Sequence, residues 1–167
     1  MPIAFRFTRN TLLYVFRIVL GCLIAWGTLE LLGTDRREWA LISVIIVSEP
    51  DFVNLRNNTI SRVINTLAGC AIGMIFLVVV GVSFTSMIIG ITAAILIATS
   101  FPKYPGSWKL APVTVVIVMA PSIIAPTALH TALITALTRA EEVLIGCVVA
   151  FLLGLLFDRI QKRRRGA

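Results

Sequence analysis

Two arginines stand inside long apolar runs with matching surroundings, Arg62-Val-Ile-Asn-Thr-Leu-Ala-Gly-Cys-Ala-Ile-Gly73 and Arg139-Ala-Glu-Glu-Val-Leu-Ile-Gly-Cys-Val-Val-Ala150. An ionisable group in such a run costs about 2.5–3.5 kcal/mol at the centre of a bilayer on insertion scales, so it is paired or functional. A guanidinium can hold a carboxylate through two parallel hydrogen bonds, which an ammonium cannot match. On a helix, Arg62, Asn65/Thr66, Gly69 and Gly73 share one face at successive turns, and Arg139, Glu142, Gly146 and Ala150 share the matching face. Both arginines then look into the bundle as candidate carboxylate ligands. The competing reading makes both of them anchors near helix ends, with Arg139 balanced by Glu141 or Glu142. The residues leave both readings open.

The acidic candidates are fewer. Glu49 precedes Pro50 at the end of an apolar segment, where the backbone must leave helical pairing. A carboxylate at a broken helix end in a membrane is a candidate proton carrier or cation ligand, with Glu142 as a second proton carrier; equally, Glu49 and Asp51 could sit in cytoplasmic water. Arg17, Glu30 and His130 are weaker candidates of the same kind. Cys22, Cys70 and Cys147 each follow a glycine, have no C-x-x-C spacing and are accompanied by a single histidine. They read as packing residues, with no disulfide framework and no metal site. No nucleophile–base pair or phosphate loop occurs. The expectation is a protein that is not an enzyme and needs no cofactor.

The elements that must position these groups are set by a repeat. Ala40–Pro50 and Ala111–Pro121, 71 residues apart, match at five of eleven positions. Ser43 faces Thr114 in this alignment, which adds both hydroxyls to the candidate substrate ligands. Trp39 and Trp108 lead the two copies. Paired short apolar segments, each ending at a proline, are the best sequence pointer to a transporter's binding site.

The chain has 167 residues, 58% of them hydrophobic, with mean hydropathy +0.97. Soluble domains hold about 45–50% apolar residues, so this is an integral membrane protein. It has room for roughly six spans of about 20 residues. The expected spans are Thr11–Gly33, Trp39–Pro50, Ile60–Ser83, Phe84–Phe101, Trp108–Pro121 and a sixth ending near Phe157. The first resembles a signal peptide but lacks a cleavage site and reads as retained. Polar connections are expected at 34–38, 51–59 and 102–107. The course of 122–138 is ambiguous, either part of one long sixth helix from about Thr127 or a separate interfacial helix.

The net charge of +7 fits a membrane anchor better than nucleic-acid binding. With both ends inside, the inner side holds Arg6, Arg9, Arg56, Arg62, Lys103, Lys109 and the five basic residues Arg159 and Lys162–Arg165. The outer side holds Arg36, Arg37 and Arg139. Eleven against three is a positive-inside bias that places both termini in the cytoplasm. Since Arg62–Gly73 echoes Arg139–Ala150, span three corresponds to span six. Halves of about 11–83 and 84–158 then insert with opposite orientation, as a 3+3 inverted repeat. Residues 1–158 form the transmembrane domain and 159–167 a basic tail. Small residues four apart, Gly69/Gly73 and Gly146/Ala150 among them, allow close helix packing in lipid.

Trp39 through Glu49-Pro50, Arg62-x6-Gly69-x3-Gly73, a Trp108-Lys-x-Ala-x-Val-Thr segment and Arg139-x6-Gly146 before a basic C-terminus resemble the fusaric acid resistance/aromatic acid exporter superfamily. The resemblance covers about residues 10–158. It implies a bacterial inner-membrane exporter of aromatic carboxylic acids, driven by the proton gradient. Distantly similar plant proteins are dimeric anion channels for organic acids. Longer family members carry two six-span units and soluble domains. This chain has one unit and no soluble domain, so a homodimer or higher homo-oligomer is expected. The full expectation is an all-α, six-span exporter of small organic anions. Arg62, Arg139, Ser43, Thr114 and Asn65 meet the substrate, and Glu49 and Glu142 carry protons. A dimeric anion channel and a non-transporting assembly subunit of a membrane complex remain the alternatives.

Overall fold

The computed structural model of the chain describes residues 9–34, 36–100, 109–125 and 128–165. Among these residues every regular element is an α-helix: α1 (Arg9–Leu31), α2 (Glu38–Val47), α3 (Phe52–Val79), α4 (Phe84–Ser100), α5 (Leu110–Ile124) and α6 (Leu129–Arg165). The 102–107 connection and Trp108 lie outside the described residues.

Three boundaries differ from the sequence expectation. The stretch 51–59 is not a connection but the first two turns of α3. The Asp51 side chain accepts from the Asn54 N–H at 3.0 Å and so satisfies a donor that a helix start leaves without an intrahelical partner. Polarity hid the period: Leu55 and Arg62 are buried while Asn54, Arg56 and Asn57 point outward. The fifth helix continues past Pro121 to Ile124. A proline in the last turn removes one intrahelical bond only, and the Ala125 N–H closes the end on the Pro121 carbonyl at 3.0 Å. The ambiguous region resolves into the end of α5 and one unbroken α6 of 37 residues, with no separate interfacial helix among the described residues. At 1.5 Å per residue α6 is about 55 Å long and carries part of the basic tail as helix. By contrast α2 stops at Val47, before Pro50. The Ser48 backbone is extended, with ψ 117°.

α3 and α6 cross near the middle of the bundle. α5 packs on α3, α2 packs on α6, α1 lies along α2 and α6, and α4 lies along α5 and α3. Two apolar cores result. One joins α1, α2 and α6 through Ala25, Leu29, Val44, Val47, Val143 and Cys147. The other joins α3, α4, α5 and α6 through Cys70, Leu77, Ala94, Val115, Val118 and Ala132. Gly33 and Gly81, with φ of +71° and +93°, turn the chain after α1 and α3 in a conformation where a Cβ would be strained.

The outer surface is apolar. Leu23, Leu31, Val79, Leu96, Leu137 and Leu152 are all exposed, which suits lipid and not water. Three helices, 11–31, 52–79 and 129–163, are long and apolar enough to cross a membrane, and α2, α4 and α5 are shorter apolar helices. Its described residues are all-helical, and the chain is a membrane-embedded, multi-pass protein.

Candidate functional site

Each candidate arginine stands ten residues into its helix, Arg62 after Phe52 and Arg139 after Leu129. At 1.5 Å per residue that is about 15 Å from the helix start. Both are withdrawn from the surface, Arg62 at 2% and Arg139 at 5% exposure.

Their surroundings differ in charge. Arg139 Nη1 meets Glu142 Oε2 at 3.1 Å and Glu38 Oε1 at 3.2 Å, and its guanidinium lies 5.8 Å from the Trp39 ring centroid. Of the two carboxylates expected to balance it, Glu142 does so, while Glu141 is exposed. Arg62 has no such partner. Its Nε is buried without a hydrogen bond, and among the described residues no carboxylate forms an ion pair with it. Across the α3–α6 crossing it faces Cys147. One turn on, Thr66 is buried at 1% exposure and its hydroxyl also has no partner. Thr59 and Thr114 donate back to their own helices at 2.8 and 2.9 Å; Thr66 does not. Asn65, fully buried, donates from Nδ2 to the Ser61 carbonyl at 2.7 Å. A buried charge without a counter-ion is expensive to hold, and the Arg62–Thr66 turn carries a guanidinium Nε and a hydroxyl that the fold leaves without partners.

Ser43 and Thr114 are buried, but their hydroxyls donate to Trp39 and Leu110 carbonyls at 2.8 and 2.9 Å. What they contribute is close approach. A Cβ on Gly69 would stand 2.5 Å from both the Ala111 oxygen and Thr114 Cβ. A Cβ on Gly146 would strike the Ala40 oxygen and stand 2.9 Å from Ser43 Cβ. The same relation recurs at Gly73, whose Cβ would meet Val118 at 2.9 Å, and at Ala150, packed in one cluster with Val47. The small residues of α3 thus meet α5 as those of α6 meet α2.

Glu49 sits half-buried at the broken end of α2. Its Oε1 accepts from Asn58 Nδ2 at 3.3 Å, and its carbonyl accepts from Arg17 Nη2. The Tyr14 hydroxyl donates to the Ser48 carbonyl at 3.0 Å, and Arg17 lies 5.3 Å from the Tyr14 ring centroid. Two α1 side chains therefore satisfy carbonyls that the end of α2 leaves open. Glu30 pairs with Arg37 at 3.4 Å, and His130 is exposed, so neither joins a site.

Two participants had no strong mark in the sequence. Glu38 looks like the last residue of a polar loop and reaches Arg139 from 101 positions away; only the fold brings them together. Thr66 is one of many hydroxyls in apolar helices, and its distinguishing mark is a missing bond. Among the described residues no group of His, Cys, Asp and Glu could hold a metal ion.

Neither a search of curated proteins nor one of solved structures returns a match. The family described as fusaric acid resistance protein-like does match, over residues 22–153, a span that contains both arginines, both glycine crossings and the α2 break. The chain belongs to the fusaric acid resistance protein-like family, a family of membrane transporters.

Proposed function

We propose that this protein exports small organic anions, aromatic carboxylic acids foremost, across a bacterial inner membrane in exchange for protons. The observation that carries the reading is the Arg62 guanidinium, 2% exposed and without a carboxylate partner among the described residues, with the Thr66 hydroxyl beside it. Holding that charge in an apolar bundle is costly unless a ligand supplies the anion. A carboxylate accepts two parallel bonds from a guanidinium, the Thr66 hydroxyl adds a third donor, and Asn65 fixes the turn.

The topology we propose has six spans, with α2 and α5 short, in two inverted halves of about 11–83 and 84–158 and both termini in the cytoplasm. Support comes from the paired crossings, Gly69 on Ala111/Thr114 and Gly146 on Ala40/Ser43. The matching positions of Arg62 and Arg139, each ten residues into its helix, support it too. Ser43 and Thr114 line the crossings beside the path. Glu49 at the inner break and Glu142 at the second arginine carry the coupled protons. A homodimer completes the path.

The test is uptake of a substituted benzoate into proteoliposomes holding wild type, R62A or R62K protein. Loss in R62A with partial retention in R62K supports the site. Equal uptake by all three, from folded protein, refutes it.

A further inference from the structure

Arg139 differs from Arg62 in one respect that matters for coupling. Its single Nη1 is shared by two carboxylates, Glu38 at 3.2 Å and Glu142 at 3.1 Å. One guanidinium cannot neutralise both, so with both ionised the group carries a net negative charge. Glu142 is fully buried, whereas the Glu38 side chain is 56% exposed. A cleft of about 380 Å³ opens beside them, lined by Gly33, Thr34, Arg36, Thr138, Arg139 and Glu142 among others. Arg139 and Glu142 form part of its wall, while the Glu142 carboxylate itself has no exposed surface.

Among the described residues no other basic side chain forms an ion pair with either carboxylate. α1 offers Glu30, which is paired with Arg37. The preceding loop offers Arg36, at the mouth of the cleft, and α6 adds the exposed Glu141. α3 contributes Arg62, which faces Cys147 further along α6, and exposed Arg56. α5 has no ionisable side chain within its length. From α2 the Trp39 backbone N–H also faces Glu142.

We propose that the Glu38–Arg139–Glu142 triad is the outer proton port of the transporter, with Glu142 as the carrier and Glu38 as the residue that sets its proton affinity. The inference rests on the topology and transport reading above, which put this end outside. One proton from the outer water reaches a Glu142 oxygen when the cleft wall that Glu142 lines opens, and the triad goes from net −1 to neutral. No bond to carbon changes and nothing is oxidised or reduced. Glu38 matters because its charge, on the same nitrogen, opposes ionisation of Glu142. The triad also ties α2 to α6, so its charge state bears on the helix pair that Gly146 holds together. Arg62, whose surroundings lack a carboxylate, takes the anion; Arg139, already carrying its own, takes the proton.

The test uses the full chain with Trp26 and Trp108 replaced by Phe, so that emission comes from Trp39, which lies against the Arg139 guanidinium. Emission is titrated in detergent from about pH 4 to 9. Wild type is expected to show one protonation step. E142Q should abolish it, and E38Q should move it to lower pH by about one unit, since a like charge has been removed. A wild-type trace with no step, or a step unchanged in E142Q, overturns the proposal. Should E142Q not fold, an unchanged midpoint in E38Q, a substitution at a half-exposed side chain, overturns it as well. Benzoate uptake against external pH is measured on the same proteins. A Trp39 step that obeys both variants without uptake of any acid would keep the triad and sink the transport reading. Proton-driven uptake with a step blind to both variants would do the reverse.

Discussion

The paired crossings predict unequal costs for the same substitution at different glycines. In Gly69→Ala the new methyl would sit 2.5 Å from the Ala111 carbonyl oxygen and from Thr114 Cβ, against ordinary contact from 3.4 Å. Both obstacles are fixed, one a backbone atom and one a branch point, so α3 and α5 must part locally by most of an ångström. Overpacking of this kind costs about 1–3 kcal/mol, offset by about 0.5–1 kcal/mol from replacing a helical glycine with alanine. A 2.5 Å clash with two fixed atoms lies in the upper half of that range, so the expected net loss is about 1–2.5 kcal/mol. Gly146→Ala meets the Ala40 oxygen and Ser43 Cβ in the same way and should lose a similar amount. Gly27→Ala meets nothing within 4 Å and should gain about 0.5–1 kcal/mol. The assay is reversible unfolding in mixed micelles, titrating SDS and following helical circular dichroism. If Gly69→Ala or Gly146→Ala unfolds at the wild-type SDS fraction, the close crossings do not exist as described. The same conclusion follows if Gly27→Ala is as unstable as the other two.

Substitutions at four further positions probe other joints of the structure. Asp51→Ala removes the cap on α3 and should cost about 1 kcal/mol in the same unfolding assay, while Asp51→Asn should cost much less. Arg17→Ala leaves the α2 terminus without its charged donor and should cost about 2 kcal/mol, within the range for hydrogen bonds to charged groups; Tyr14→Phe, losing a neutral donor, should cost about 1 kcal/mol. Arg62→Lys keeps the charge but loses the planar fork, so KM for a substituted benzoate should rise about tenfold with maximal rate little changed. A fall in rate with KM untouched would place Arg62 away from the substrate.

The parts of this architecture that were legible in the sequence are those that repeat. The Ala40–Pro50 and Ala111–Pro121 stretches, and the arginine-to-glycine runs that follow each, mark four helices and the residues at which they meet. Small residues four apart signal close packing whatever the neighbour is. Boundaries were less legible because bilayer hydropathy says nothing about turns that leave the bilayer. The start of α3 is polar where water reaches it, and only the Asp51 cap and the spacing of Leu55 and Arg62 reveal a helix. Pro121 suggests a stop, yet in a last turn it costs a single bond. At the site, the i, i+3 relation of Arg139 and Glu142 could be read directly, since helix geometry fixes it. Glu38 could not, because its pairing depends on how α2 docks on α6. The difference between the two arginines is likewise tertiary, since it lies in which carboxylates the fold delivers to each.

The most direct test of the central claim is flux through proteoliposomes holding this protein alone, with a panel of aromatic and aliphatic carboxylates, first under a pH gradient and then under voltage alone. Movement of aromatic carboxylates is expected to require the pH gradient and to disappear in R62A. Movement that follows voltage alone would contradict proton coupling and make the protein an anion channel. Silence for every carboxylate from folded protein, or full flux in R62A, would contradict the assignment of Arg62 as the seat of the anion.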